Sequence, residues 1–385
     1  MNVTVNDLMR FIPEEMLEEL ASETKVDKIN TYKLKGKDLF QILLYSILEE
    51  NKISLRMIED VFGRHSFNFF YKNQALKVSK SGLSDRLKII PYEFFERIFG
   101  KLSANVSDII PNDKKQEIIR FDSTILTLSS KLLKCGYPVA NGPKNQIKFS
   151  VGFNGIPVHC TISGDKGSMS EDVALKNAIL SSSISQEDIA VFDRGLSSRK
   201  TFKQFSQQQI SFVTRLNDRA NYRVLEVHQD VLGHETQTLI LQEDVIVNLR
   251  SKHTHWIDEK FRLIRALHKE TNKQYIFLTN LFDLSAEEIT EIYRRRWDIE
   301  VFFKFIKQYL STKHFLSRNL NGIKVVFYMI LILSILMLAF KILNKIDGLM
   351  MATLKFKEQF RRLISYQMVL FYRQYPGELE GDLLC

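Results

Sequence analysis

Glu117–Leu128 reads EIIRFDSTILTL, and Ile189–Gly195 reads IAVFDRG. Both are short apolar runs, and each carries one aspartate, Asp122 in the middle of the first and Asp193 at the end of the second. An uninterrupted apolar run such as IAVF is the kind buried on both faces of a parallel sheet. Between them, IKFSVGF (Ile147–Phe153) and IPVHCTI (Ile156–Ile162) flank Asn154-Gly155, a two-residue hairpin signal. Helical patterns follow around Glu171–Leu180 and Arg199–Gln207, and SFVTRLN (Ser211–Asn217) gives a further strand. Strand, hairpin, helix, strand, helix, strand predicts an α/β fold: a mixed sheet with helices on its faces.

Downstream, the pieces YRVLEV, TQTLILQ, DVIVNLR, KFRLIRAL and QYIFLTN, from Tyr222 to Asn280, predict an inserted β-rich subdomain over 219–283. Ser285, with Glu288 three residues on, predicts a capping box opening one long helix that runs through Lys307. The α/β core then comprises 113–218 and 284–345, with a basic helical region over 346–385. Upstream, 1–112 read as helical, with apolar faces in Leu39–Glu49, Ser54–Phe62 and Tyr92–Leu102. Within VSKSGLSDRLKII (Val78–Ile90), Gly82 suits a turn and Ser84 an N-cap. A basic helix entered through such a turn is how helix-turn-helix modules approach DNA, although ordinary helical hairpins share the pattern.

Hydrophobic residues make up 45% and charged residues 26% of the 385, which excludes a disordered chain. Sixteen Gly and seven Pro exclude collagen-like and low-complexity classes. Cys135, Cys160 and Cys385 are scattered and form no CxxC pair, so neither a disulfide framework nor a cysteine zinc site is supported, and a reducing cytoplasm fits. No signal-peptide pattern is expected in Met1–Glu19. Val325–Phe340, VVFYMILILSILMLAF, is 16 residues between two lysines. A membrane span wants about 20, so the buried central helix of a large domain is the preferred reading.

The net charge of +9 is compatible with a polyanionic partner. Six basic residues face one acid between Arg64 and Lys88, and six face two acids between Lys341 and Arg362. Both clusters suit either solvated helix faces or DNA contact. Lys77, Lys80, Arg86 and Lys88 are the DNA-binding candidates of the first.

Buried carboxylates are costly unless paired, hydrogen-bonded or metal-bound. Two aspartates on adjacent strands suit a hard cation, since Mg²⁺ takes one or two carboxylates plus phosphate oxygens and water. Alternatively Asp193 caps the next helix and Asp122 pairs with Arg120 or a lysine. On the long helix, Tyr293, Arg296, Glu300 and Lys307 fall at about 0°, −60°, −20° and −40°, one stripe roughly 60° wide. Arg296 and Glu300 are i,i+4 partners. Pairing accounts for them, but not for the tyrosine and the distant lysine. Two weaker sets are His253 with His255, which could ligate a metal but lack a third ligand, and Asp165, Glu171 and Asp172, which could stand in for an active-site acid but which N-capping explains. Trp297 is expected to pack.

Tyr293-x2-Arg296-x3-Glu300-x6-Lys307, the wording YRRRWDIEVFFKFIKQ, RFDST around Asp122, VFDRG around Asp193 and SKSGLSDRL near the start resemble the DDE insertion-sequence transposases that carry a YREK signature on an RNase H-like catalytic domain. The resemblance covers most of the chain. It implies a bacterial, cytoplasmic enzyme with an RNase H-like mixed sheet interrupted by the β-rich insertion and preceded by a helical DNA-binding region. It implies Asp122, Asp193 and Glu300 as catalytic metal ligands for two Mg²⁺ ions, with Mn²⁺ able to substitute. Water for end cleavage, and then the freed 3′-hydroxyl, would be the nucleophiles. Tyr293, Arg296 and Lys307 would grip DNA beside the scissile bond, and Trp256 in the insertion would stack on a flipped base. DNA, as terminal inverted repeats and target, is the implied partner, with a homodimer in the DNA complex and no membrane. A catalytically inactive, transposon-derived DNA-binding protein is the alternative.

Overall fold

The computed structural model describes residues 3–27, 34–49, 53–64, 66–67, 77–111, 117–128, 137–138, 145–164, 167, 170–251, 255–309 and 316–374. The chain divides into two compact units, one of residues 1–111, 127–145 and 305–385, the other of 112–126 and 146–304.

The second unit is built on a sheet whose strands are β1 (Ile118–Leu128), β2 (Asn145–Phe153), β3 (Pro157–Ser163), β4 (Ile189–Phe192), β5 (Ser211–Arg215), β6 (Tyr222–Val227), β7 (Leu239–Arg250), β8 (Trp256–His268) and β9 (Gln274–Thr279). Their order is β3-β2-β1-β4-β5-β9-β8-β7-β6. Strand β1 runs parallel to β4 and β4 parallel to β5. From β5 onward every neighbour is antiparallel. Alternation along the central strands supplies two cores. Ala190, Phe192 and Phe212 face one side, where Leu175 and Ile179 of α7 (Glu171–Ser181) and Phe202 and Phe205 of α8 (Arg199–Gln207) cover them. Ile189, Val191 and Val213 face the other, under Ile289 and Ile292 of α9 (Ala286–Arg294).

Three local expectations change. The hairpin between β2 and β3 spans three residues, Asn154, Gly155 and Ile156, between the paired Phe153 and Pro157, and Gly155 takes φ +111°. TQTLILQ and DVIVNLR are one strand, β7, bulged between Leu241 and Glu243. QYIFLTN, placed in the insertion by the sequence, is β9, which pairs with β5 and carries β6–β8 as an extension of the same sheet. Arg262 and Asp244, both with fully buried side chains, bind through two hydrogen bonds (2.9 and 2.6 Å) that tie β8 to β7.

The first unit is helical. It comprises α1 (Val5–Met9), α2 (Glu14–Glu23), α3 (Gly36–Glu49), α4 (Leu55–Val61), α5 (Lys80–Ile89) and α6 (Glu93–Ser107), with α11 (Leu320–Leu343) and α12 (Leu349–Gln374) after the second unit. Helix α11 is 24 residues and apolar enough to cross a membrane, yet every residue from Val325 to Phe340 is buried inside the structure. Tyr328 donates to Glu96 of α6 at 2.5 Å, and Asn321 donates to the carbonyls of Leu87 and Ile90. Helix α5 starts earlier than the turn-and-cap reading has it. Ser79 is the N-cap, accepting from the Gly82 amide, so Gly82 and Ser84 lie inside the helix.

Candidate active site

Phe121 of β1 pairs in register with Phe192 of β4, so the next residues continue as neighbours, Asp122 within β1 and Asp193 just past the carboxyl end of β4. Open α/β sheets place ligands at that end. Asp122 accepts a hydrogen bond from the Ser123 amide (2.7 Å), and Asp193 one from the Gly195 amide (2.9 Å). Thr214 of β5 donates to the Phe192 carbonyl (3.0 Å), fixing the end of β4. Burial pushes the Asp122 carboxyl up to about 6. The Ser123 amide and Arg296 oppose the rise, while the negative charges of Asp193 and Glu300 add to it.

Arg120 does not neutralise Asp122. It pairs with Asp298 (3.3 Å) and donates to the carbonyl of Arg295 (3.0 Å). That bond has a consequence for the helix above. The expected single helix breaks into α9 and α10 (Trp297–Tyr309), with tight three-residue turns through Arg295 and Arg296. The Arg295 carbonyl serves Arg120 and the Asp298 amide instead of continuing a regular ladder. Tyr293 therefore ends one helix, Arg296 lies in the joint, and Glu300 opens the next.

Arg296 donates to Glu300 at 2.5 Å and stands 5.8 Å from the centre of the Tyr293 ring. Burial works against its charge, but Tyr293, Glu300 and Asp122 outweigh it and hold its pKa above the usual arginine value. Arg215, at the end of β5, lies 4.0 Å over Tyr275 and 5.9 Å from Tyr293. The Nε–H groups of Arg215 and Arg296 are both buried without a hydrogen-bond partner. Tyr293, edge-on to Phe277, is pushed up by burial and pulled down by the two arginines. Lys307 is exposed on α10, two turns beyond Glu300.

Two participants escaped the sequence reading of the site, Lys148 and Arg215, and a third, Glu171, stood there only as a weaker candidate. Lys148 on β2 is 2% exposed, and burial lowers its pKa while Glu171, Asp122 and Asp193 draw it back up. Its signal was the alternation in IKFSVGF, which sets Lys148 and Ser150 on one face, and Ser150 meets Ser123 at 2.7 Å. Glu171, read as a capping acid, lies against the Asp193–Gly195 turn: a Cβ on Gly195 would fall 1.8 Å from its Oε2 and 2.9 Å from Asp193 Oδ1. Arg215 had no pattern to mark it.

Other expectations fall away from the site. Arg86 is buried and spent on Asp27 (3.1 Å) and on the Leu34 and Val26 carbonyls, so it is removed from the DNA-binding candidates. Lys77, Lys80 and Lys88 are exposed, with Lys88 bound to Asp85. Trp297 does not pack; it is 62% exposed. Trp256 is 40% exposed, with Arg223 and Arg250 at 4.9 and 5.8 Å from its ring. Asp172 accepts from the Ser197 and Ser198 amides, a structural role. Asp165 and His253 lie outside the described residues, and His255 is exposed.

Among the described residues, no three His, Cys, Asp or Glu side chains converge closely enough to hold one ion, and Glu300 is bonded to Arg296. The donor set nevertheless fits a hard divalent cation. It is all carboxylate, and a dication relieves the repulsion from Asp193 and Glu300 that adds to the effect of burial on Asp122.

Asp122 and Asp193 side by side on two parallel strands, with Glu300 and guanidinium groups nearby, make a site suited to a divalent cation and a phosphate. The chain belongs to the transposase DDE domain family, whose model matches residues 113–336. It is a DNA transposase. It is 25% identical over 261 residues to a protein of Synechocystis sp. named as a transposase for insertion sequence element IS4SA, covering 65% of this chain and 68% of that one. It is 25% identical over 259 residues to a transposase for element IS5377 of Geobacillus stearothermophilus, covering 63% and 62%. A solved piggyBac transposase synaptic complex with hairpin DNA superposes at a TM-score of 0.47 and 11% identity, over 96% of this chain and 80% of that one.

Proposed function

We propose that this protein cleaves the ends of an insertion sequence and joins them to target DNA in one RNase H-like site formed by Asp122, Asp193 and Glu300. The observation that carries this is the register pairing that sets Asp122 beside Asp193, with Glu300 near enough to help raise the Asp122 carboxyl to about 6. The strand order β3-β2-β1-β4-β5, with its two parallel pairs, supports the RNase H-like reading.

Asp122, Asp193 and Glu300 would hold Mg²⁺, two ions per site, with Mn²⁺ able to substitute. The bound cation supplies charge stabilisation at phosphoryl oxygens and lowers the pKa of an attacking water. The chain's own part is to seat and orient. Arg296 and Tyr293, with Lys307 further along α10, hold a phosphate beside the scissile bond, and Arg296 releases Glu300 when that phosphate arrives. The buried, unpartnered Nε–H of Arg296 is a donor available to such an oxygen. Both half-reactions are in-line displacements and rely on positioning more than on covalent chemistry.

The helical N-terminal region contributes DNA contacts through Lys77, Lys80 and Lys88, Trp256 stacks on an unpaired base, and α12 (Leu349–Gln374) carries the basic C-terminal region. The active species is a homodimer on DNA in the bacterial cytoplasm. Cutting of a labelled insertion-sequence end by purified protein tests the reading. Wild type should cut with Mg²⁺, and Asp122→Asn, Asp193→Asn and Glu300→Gln should each lose cutting while still binding the end. Cutting that survives in any of the three removes that residue from the site.

A further inference from the structure

The loops that follow β4 and β5 enclose a cleft of about 770 Å³ beside Asp193. Its walls carry Arg194, Arg199, Lys200, Arg219 and Arg250 against two acids, Asp172 and Asp218. Asp172 is consumed by the Ser197 and Ser198 amides (2.6 and 2.8 Å), and Arg199 donates to the Ser197 carbonyl (2.8 Å). The other four cations are exposed and form no ion pair among the described residues. Several half-buried cations of the same unit are paired, as in Lys203–Asp258 (2.5 Å), Lys269–Glu235 (2.8 Å) and Arg265–Glu243 (3.2 Å). Four unpaired like charges lining one concavity repel one another and focus a positive potential into it.

Two further features narrow the ligand. The volume lies in the range of small-ligand clefts. At one end Arg250 approaches Trp256, an exposed aromatic, and a cationic groove edged by an aromatic is how proteins hold single-stranded nucleic acid. We propose that the cleft holds the sugar-phosphate backbone of a single DNA strand leaving the acid pair, with Arg194, Lys200, Arg219 and Arg250 on its phosphates. The inference rests on the catalytic reading only in placing Asp193 where a strand is cut. It concerns the four cations and does not depend on stacking at Trp256.

The test is metal-free equilibrium binding of the full chain in EDTA. Fluorescent oligothymidylate, the single-stranded end sequence and their duplexes would each be titrated over a range of salt. Arg194→Gln, Lys200→Gln, Arg219→Gln, Arg250→Gln and the combined variant would be compared after a thermal melt establishes that they fold. Each charge removed should flatten the salt slope for single strands by about 0.7, and the combined variant should bind them at least ~10-fold more weakly, with duplex binding nearly unchanged. Preference for the end sequence assigns the cleft to the element strand, and parity with oligothymidylate assigns it to any strand presented there. An unchanged single-strand slope in the combined variant, or an equal loss for duplex, overturns the proposal. A chain that binds strands through these residues but never cuts would sink the catalytic reading and keep this one. A chain that cuts while strand binding ignores the four substitutions would do the reverse.

Discussion

Arg296 donates to Glu300 at 2.5 Å while its charge also reaches Asp122 and its guanidinium stands beside the Tyr293 ring. One cation thus bonds the third acid and acts electrostatically on the first. An i,i+4 pair of this kind contributes only a few tenths of a kcal/mol to a helix. If helix support were its whole role, Arg296→Ala would cost about that much stability and leave turnover alone. The expected outcome is a nearly unchanged melt with cleavage depressed at least ~100-fold, and Arg296→Lys should recover little, because a point charge does not replace a planar fork. Cleavage of a pre-nicked end, run beside the melt, separates the two.

Asp122 makes a pH prediction whose sign is fixed by its raised carboxyl. Folding keeps the proton on up to about pH 6, against an ordinary value of 3.8. The stability this group contributes is therefore present below about pH 4 and is lost as the pH rises through 6. Asp122→Asn should stabilise the metal-free protein at pH 7.5 by on the order of 2 kcal/mol, seen as a higher melting temperature, and should have little effect at pH 4. A melt series across that range in EDTA checks it.

Gly195 lies where two carboxylates approach the backbone. A methyl group there would meet Glu171 Oε2 at 1.8 Å and Asp193 Oδ1 at 2.9 Å. Gly195→Ala should leave the fold intact, since Glu171 can swing away, but should disturb the seat of Asp193 and lower cleavage roughly 10-fold or more. Glu171→Ala in the same chain should restore part of it. Independent, additive losses in the double variant would show that the two residues do not meet.

Within Lys77–Lys88, four cations that look alike in sequence should behave as two kinds. Neutralising Lys77, Lys80 or Lys88 should flatten the salt dependence of end binding by about 0.9 per charge with no change in melting. Arg86→Gln should instead destabilise the first unit by about 3 kcal/mol, because it strands Asp27 and two carbonyls that Arg86 now satisfies. Gel-shift titrations and melts on the four variants decide this.

That contrast shows what the sequence could and could not convey. Asp122 and Asp193 were legible because a carboxylate inside an apolar, strand-like run has few inexpensive explanations. Ser285 was legible because its cap is local, and both of its capping hydrogen bonds form. The break at Arg295–Arg296 was not, because RRRW suits a helix and the residue that claims the Arg295 carbonyl, Arg120, is 175 positions away. Arg86 and Arg215 were illegible for the same reason: what buries one and stacks the other is brought by distant segments. The central acids are a local signal, and the cations that serve them are tertiary.

Whether Asp122, Asp193 and Glu300 form one divalent-cation site can be read from Mn²⁺ titration of the full chain, followed by its paramagnetic resonance signal. Saturable binding should strengthen as the pH rises through about 6, be lost in Asp122→Asn and Asp193→Asn, and be weakened in Glu300→Gln. Binding of unaltered affinity in Asp122→Asn or Asp193→Asn would contradict it.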